Sequence, residues 1–305
     1  MPKLKQMQPL SPSNRSDFDT WSKSKLSLYS SDRIERLCEA TEISPDGPFQ
    51  PRQLANLQQN FSDFNFGLYR IDDTDHFDLA ALSRLGRRFG LSQLDANLCA
   101  EDDRITIITD CSDAQNRDKQ RQRYIPYSNR AMGWHTDGYY NPQHQRVRSF
   151  ILHCAQPAAK GGSNRFMDPD IAYILLRQEN PAYIKALTMP DVMRIPENSG
   201  AEGCLRSETA TSVFQFSSDY RILDMRFSQR KKNVIWRDDA VTQEALACLN
   251  ELLDSNSRWH IDYHLNAGEG IVTNNVLHRR DAYQDDADHK RVFYRARYYS
   301  RVTLA

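Results

Sequence analysis

Apolar residues fall at helical spacing in several early stretches of the chain. "SDRIERLCEA" (residues 31–40), "PRQLANLQQNF" (51–61) and "HFDLAALSRLGRRFGL" (76–91) each carry them three or four apart, which predicts short amphipathic helices. The first is opened by a Ser/Asp cap, and the last has a glycine near its end, where a helix stops without steric penalty. "FNFGLYRI" (64–71) alternates as a strand does. Beyond residue 100 the period changes to two. "RITIITD", "RSFILHCAQP", "SVFQFSS", "YRILDMRFS", "WHIDYHL", "GIVTNNVL" and "RVFYRARYY" are β-branched or aromatic runs bounded by turn residues, hence strands. Two helical insertions interrupt them, "DPDIAYILLRQENPAYIKAL" (168–187) and "VTQEALACLNELLDS" (241–255). Helices first and many strands afterwards predict an α+β fold around a sandwich or partly open barrel. Residues 1–50 read as an N-terminal extension, its first 30 or so residues irregular, and 51–305 as a single domain without a linker.

Composition narrows the function classes. Of 305 residues, 26% are charged and 39% hydrophobic, with 40 Lys plus Arg against 40 Asp plus Glu. A neutral balance gives the whole chain no attraction for nucleic acid or anionic lipid, although "RDKQRQRY" (117–124) and "QRKKNVIWR" (229–237) are local basic runs. The N-terminus lacks an apolar core of signal-peptide type and a membrane-spanning run. The six cysteines are scattered without a CxxC pair, which fits reduced, mostly buried thiols and a cytoplasmic protein.

Candidate chemistry centres on "GWHTDGYY" (133–140). Asp and Glu fill 40 of 305 positions, so eight histidines yield about one HxD or HxE by chance, whereas the chain holds three. His76/Asp78 precedes "LAALSRL", where a carboxylate caps free backbone N–H groups. In "WHIDYHL" (259–265), His260, Asp262 and His264 share one face of a strand. The outer two stand about 13 Å apart, too far for one ion with bonds of about 2.0–2.2 Å. That strand reads as half-buried with a polar outer face. His135 and Asp137 also point the same way, about 7 Å apart, and Gly133 and Gly138 let the backbone bend away. His278, ending the apolar run in "NNVLHRRDAY", offers a third ligand. Two histidines and a carboxylate with open positions form the facial triad of non-haem iron(II) oxygenases. Further on, Arg291, Arg295 and Arg297 share one face of "RVFYRARYY". On an inward face they would demand an anion, which a dicarboxylate supplies to a guanidinium fork.

In this order and spacing, the chain resembles the Fe(II)/2-oxoglutarate-dependent oxygenases, and within them the taurine dioxygenase-like (clavaminate synthase-like) family. The family's "WHTD" stands at Trp134–Asp137, its "VLHGR" at Val276–Arg280 with Arg279 replacing glycine, and its double glycine in "KGGSN" (160–164). "RRFGL" (87–91) resembles the helix end before the barrel. The resemblance implies a double-stranded β-helix (jelly roll) with flanking and inserted helices, His135, Asp137 and His278 on Fe(II), and 2-oxoglutarate and O2 as cosubstrates. It implies Arg291 on the far carboxylate of 2-oxoglutarate and Arg295 on the cosubstrate or an anionic substrate. Ser163 and Asn164 stand where members often have an acidic residue and a threonine that helps hold 2-oxoglutarate, and Asn164 retains a donor. Asn274 and Asn275 stand where many members have Asp-Asn. Tyr127, Asn129, Arg130, Tyr139 and Tyr140 flank the metal motif as candidate pocket residues. The implied activity is hydroxylation or oxidation of an aliphatic C–H in a small polar, anionic or zwitterionic metabolite, with release of succinate and CO2. Neither nucleic acid nor membrane is expected as a partner, and a homodimer is the expected assembly. The alternatives are a non-catalytic sensor that binds metal and 2-oxoglutarate on the same fold, and an oxygenase acting on a macromolecule.

Overall fold

The computed structural model describes residues 7–71, 77–96, 100–101, 103–112, 121–200, 203–230 and 232–304. His76, Cys99, residues 117–120 of the first basic run and Lys231 of the second lie outside them. Strands β1 (Thr41–Glu42), β2 (Phe66–Arg70), β3 (Thr106–Ile108), β4 (Met132–His135), β5 (Ser149–Gln156), β6 (Asn164–Met167), β7 (Ile261–Tyr263), β8 (Glu269–Thr273), β9 (Leu277–Arg280) and β10 (Val292–Tyr298) build two central sheets. The six-stranded sheet runs β1-β2-β8-β5-β10-β3, and the four-stranded sheet runs β7-β6-β9-β4. Only the β1–β2 pair is parallel in these two sheets. Shorter ribbons, among them Met193–Ile195 with Thr209–Thr211 and the hairpin Phe214–Phe216/Leu223–Met225, surround them.

The alternation in β5 shows why the sheets stack. Phe150, Leu152 and Cys154 face the larger apolar cluster, which also takes Phe66 and Leu68 from β2 and Phe166 and Met167 from β6. Ring contacts of 5.5 Å between Phe66 and Phe166, and 4.8 Å between Phe150 and His278, join one sheet to the other. On the opposite face Ile151, Val272 and Ala296 pack with Leu82 and Leu85 in a second cluster. Each Val, Leu, Ile, Phe or Met among them contributes about 1.5–3 kcal/mol on burial. Because both faces are covered, the central strands read as nearly continuous apolar runs.

Helices α1 (Arg15–Ser27), α2 (Ser31–Cys38), α3 (Pro51–Phe64), α4 (Leu79–Arg88), α5 (Pro169–Glu179), α6 (Pro181–Leu187) and α7 (Ala240–Asp254) flank the sheets. Asp78 caps α4 by accepting from Ala81 N at 2.7 Å, as its sequence position implied. The first inserted run is two helices because Pro181 cannot continue α5; Asn180 ends α5, and its side chain caps α6 through Ala182 N. The lead-in expected to be irregular carries α1 instead. Lys25 on α1 is 4% exposed, with Nζ 2.7 Å from Asp168 Oδ2 and 3.1 Å from Asp170 Oδ2 at the start of α5. Cys111 and Cys154 are buried, whereas Cys204 is exposed. No helix among the described residues is long and apolar enough to cross a membrane.

Candidate metal centre

Register brings the two histidines together. β4 and β9 are antiparallel neighbours in which His135 stands opposite His278, and side chains so paired start about 4.5–5.5 Å apart at Cβ. Their ring centroids are 4.2 Å apart. Each Nδ1 lies 2.9 Å from a backbone carbonyl two residues back, Gly133 for His135 and Val276 for His278. With Nδ1–H donating there, each neutral ring keeps a lone pair on Nε2 for a ligand role. Asp137 follows two residues after β4, and one ligand atom from each of the three residues lies within 4.8 Å of the others. His135 Nε2 is 3.8 Å from Asp137 Oδ1. Cis ligands with bonds of about 2.1 Å stand about 3 Å apart, so small side-chain rotations close this set on one ion.

Asn275, which sequence reasoning noted without assigning it a task, fixes the turn that carries Asp137. Its Oδ1 accepts from Asp137 N at 2.8 Å, while Nδ2 donates to Asp137 O at 3.0 Å and Val147 O at 2.8 Å. Its own φ of 55° lies in the left-handed region, which asparagine tolerates better than most residues. Gly138 has φ 63°, and a Cβ there would lie 2.4 Å from Val147 Cγ2. The expected bend is thus real at Gly138, whereas Gly133 keeps an ordinary strand conformation. Thr136 ties the motif to its other neighbour: its N donates to Phe227 O and its Oγ1 accepts from Phe227 N.

Charge in the site is balanced by arginine. Burial alone would raise the Asp137 carboxyl, but Arg295, then Arg297, outweigh it and hold Asp137 well below the usual carboxylate range. Arg295 Nη1 donates to Asp137 Oδ1 at 3.1 Å, so this arginine contacts the candidate metal ligand directly. Arg297 donates to Tyr140 Oη at 3.0 Å and pairs with Asp95, which also accepts from Asn141 and Tyr299. Burial first, and the neighbouring His278 second, push His135 down to about 3; burial also lowers His278. Both rings are neutral near pH 7, the form that binds a metal.

The buried polar atoms of this region without a hydrogen-bond partner include Asp137 Oδ2, Arg291 Nη1 and Asn164 Nδ2. Leaving such a group unsatisfied costs about 1–3 kcal/mol, so a cation for the carboxylate's free oxygen and an anion for the two donors fit this set of groups. Arg291 is 2% exposed, and no carboxylate pairs with its side chain among the described residues. The three arginines read as one face are therefore all buried, and Arg295 and Arg297 are paired with Asp137 and Asp95, whereas Arg291 has no carboxylate partner among the described residues. Of the pocket candidates, Tyr127 and Tyr139 are core residues at 2% and 7% exposure, and Tyr140 is half-buried beside Arg297. Asn129 and Arg130 are exposed, with their carbonyls bound by Tyr283 N and Arg280 Nη2. Of the polar face expected around β7, Asp262 pairs with Arg165 at 2.7 Å and His264 just beyond the strand is exposed, but His260 is buried, with its ring 5.1 Å from that of Trp134.

The fold is thus two sheets with a His-Asp-His group that could hold a metal ion at the edge of the smaller one, and with Arg291, Arg295 and Arg297 buried. The sequence model of the taurine catabolism dioxygenase TauD, TfdA family matches residues 35–297, and the chain belongs to that family. A comparison with curated proteins by sequence found no match. Solved structures with similar folds include an asparagine oxygenase in complex with Fe(II), 3-hydroxyasparagine and succinate (16% identity, 90% of this chain and 91% of that one, TM-score 0.55). A taurine dioxygenase from Burkholderia xenovorans (14%, 86% and 88%, 0.54) and the non-heme iron oxygenase OrfP with Fe and alpha-ketoglutaric acid (14%, 96% and 92%, 0.56) are also similar.

Proposed function

We propose that this protein is an Fe(II)/2-oxoglutarate-dependent dioxygenase that hydroxylates or oxidises an aliphatic C–H of a small anionic or zwitterionic metabolite, and that its two sheets are the halves of a double-stranded β-helix. The observation that carries the reading is the convergence of His135, Asp137 and His278, with ligand atoms within 4.8 Å, in a chain of this family. The iron and 2-oxoglutarate, when bound, supply the oxidising chemistry, with dioxygen consumed and 2-oxoglutarate leaving as succinate and CO2.

The chain's own residues do the rest. Gly133 and Val276 carbonyls orient the imidazoles, and Asn275 and Arg295 fix the backbone and charge of Asp137. Arg291 and Asn164 offer donors to the far carboxylate of 2-oxoglutarate. Phe150, packed 4.8 Å from His278, keeps that side of the site dry, which strengthens every charge interaction in it. Arg297 with Tyr140 and Asp95 sets the wall on the other side.

The test is oxygen-dependent succinate formation with Fe(II) and 2-oxoglutarate, screened for stimulation by small acids, amino acids and amines. Purified protein is expected to release succinate above background, and His135→Ala and Asp137→Ala are expected to abolish it. Full turnover by either variant would overturn the site, and a protein that binds both ligands without ever forming succinate would be the sensor instead.

A further inference from the structure

Arg291 is not alone in lacking a partner. The Tyr283 side chain lies three residues after β9, at a position the sequence motifs did not mark. It is 3% exposed, and its hydroxyl has no directed hydrogen bond, although it sits against the Arg291 guanidinium. The guanidinium carbons of Arg280 and Arg291 lie 4.9 and 5.1 Å from its ring centroid. Arg280 is committed elsewhere: it donates to the carbonyls of Ser128 at 2.8 Å, Arg130 and Pro126. Two buried cations beside one phenol, with no carboxylate paired to either among the described residues, form a place built for negative charge. The same cations draw electron density from the ring and make its O–H a better donor.

The backbone around this phenol is fixed. Tyr283 pairs with Gly161, and Tyr283 N donates to Asn129 O at 3.0 Å. Gly161 and Gly162 both have φ above 70°. A Cβ on Gly162 would sit 3.3 Å from Tyr283 Cβ and 3.6 Å from Arg291 Nε, so the glycine backbone lies directly against both side chains. Asn164, with its own unpartnered Nδ2, is the cross-strand partner of Arg280. Packing explains the ring of Tyr283 but not its hydroxyl, since phenylalanine would fill the same space without burying an unsatisfied O–H.

We infer that Tyr283 is a cosubstrate-binding residue: its hydroxyl donates, beside Arg291 Nη1, to the carboxylate of 2-oxoglutarate farthest from the metal. Arg280 is the positioning residue behind it. This assignment rests on the reading of the site as a 2-oxoglutarate site, and it adds a selection for dicarboxylates that the metal ligands alone do not impose.

Calorimetric titration of the Mn(II)-loaded protein tests it without turnover, with 2-oxoglutarate and with 2-oxopentanoate, which keeps the chelating head and lacks the far carboxylate. A hydrogen bond to a charged group sets the scale, so Tyr283→Phe is expected to weaken 2-oxoglutarate binding about tenfold or more. Its affinities for Mn(II) and for 2-oxopentanoate should stay within about twofold of the parent, which also shows that the variant's site is folded. Unchanged affinity for 2-oxoglutarate, or equal losses for both ligands, would overturn the role of Tyr283 while leaving the cosubstrate reading intact. A parent protein that binds 2-oxoglutarate no better than 2-oxopentanoate would overturn the cosubstrate reading, and the assignment of Tyr283 with it.

Discussion

Asn275 shows how one residue outside the candidate ligand set holds it in place. Its three side-chain hydrogen bonds tether Asp137 and Val147, and its backbone is left-handed. Asn275→Ala removes the bonds and adds strain, an expected loss of about 2–4 kcal/mol, whereas Asn275→Gly restores the backbone freedom but not the bonds. Urea unfolding of both, read beside Mn(II) affinity, separates the two terms. Weaker metal binding in both variants, with alanine the less stable, is the expected pattern. Metal affinity equal to the parent would show that Asn275 stabilises the turn without positioning Asp137. The sequence displayed "NN" before the distal histidine but not this function, because the contact spans 138 positions of chain. Arg291 behaves differently, since its lack of a countercharge is a property of its whole surroundings. Arg291→Met is expected to raise the 2-oxoglutarate concentration needed for half-maximal succinate formation by one to two orders of magnitude, about the worth of a charged hydrogen bond, with Mn(II) binding retained. A variant with an unchanged 2-oxoglutarate requirement would remove Arg291 from the cosubstrate site.

Among elements, those with a strong period were legible and those held by a few polar contacts were not. β5, β8 and β10 show in the sequence because both of their faces are packed, and α4 shows because Leu82 and Leu85 repeat on one side. β6, at four residues, is too short for alternation to emerge. α1 escaped because only Phe18, Ser22 and Lys25 of its thirteen residues are buried, and one of those three is a lysine. Its docking is ionic: Lys25 Nζ reaches Asp168, Asp170 and the carbonyl of Asp63 at 2.7 Å. Removing one member of a buried ion pair leaves uncompensated charge and costs about 3–5 kcal/mol. Lys25→Met is expected to lose about that much on chemical denaturation, while Lys25→Met with Asp168→Asn recovers part of it. A single variant as stable as the parent would show that α1 is held by Phe18 and Trp21 instead.

At the scale of the molecule, the candidate ligands were readable because their types and order carry chemistry, while their meeting depended on β4 and β9 becoming neighbours, which local pattern does not encode. The same burial that assembles the sheets leaves neutral imidazoles inside, and this sets a pH dependence for stability. His153 in β5 is 1% exposed, shares a 3.1 Å hydrogen bond with the Tyr69 hydroxyl and stacks near Tyr69 and Phe77. Burial pushes it down to about 3, against about 6.5 for an unfolded chain. Above pH 6.5 neither state holds the proton, so the residue costs nothing. As pH falls below 6.5 the unfolded chain takes up a proton that the folded protein refuses, and stability drops by about 1.4 kcal/mol per pH unit until the folded ring titrates near 3. His153→Gln keeps an acceptor for Tyr69 and cannot titrate. Urea unfolding of the metal-free protein at pH 7.5, 6.0 and 5.0 should therefore show parent and variant converging on acidification, the parent losing about one proton's worth of stability more. Parallel curves would mean that His153 is charged in the folded protein or opens to water before the chain unfolds, and either result would contradict the dry outer cluster on which the larger sheet rests.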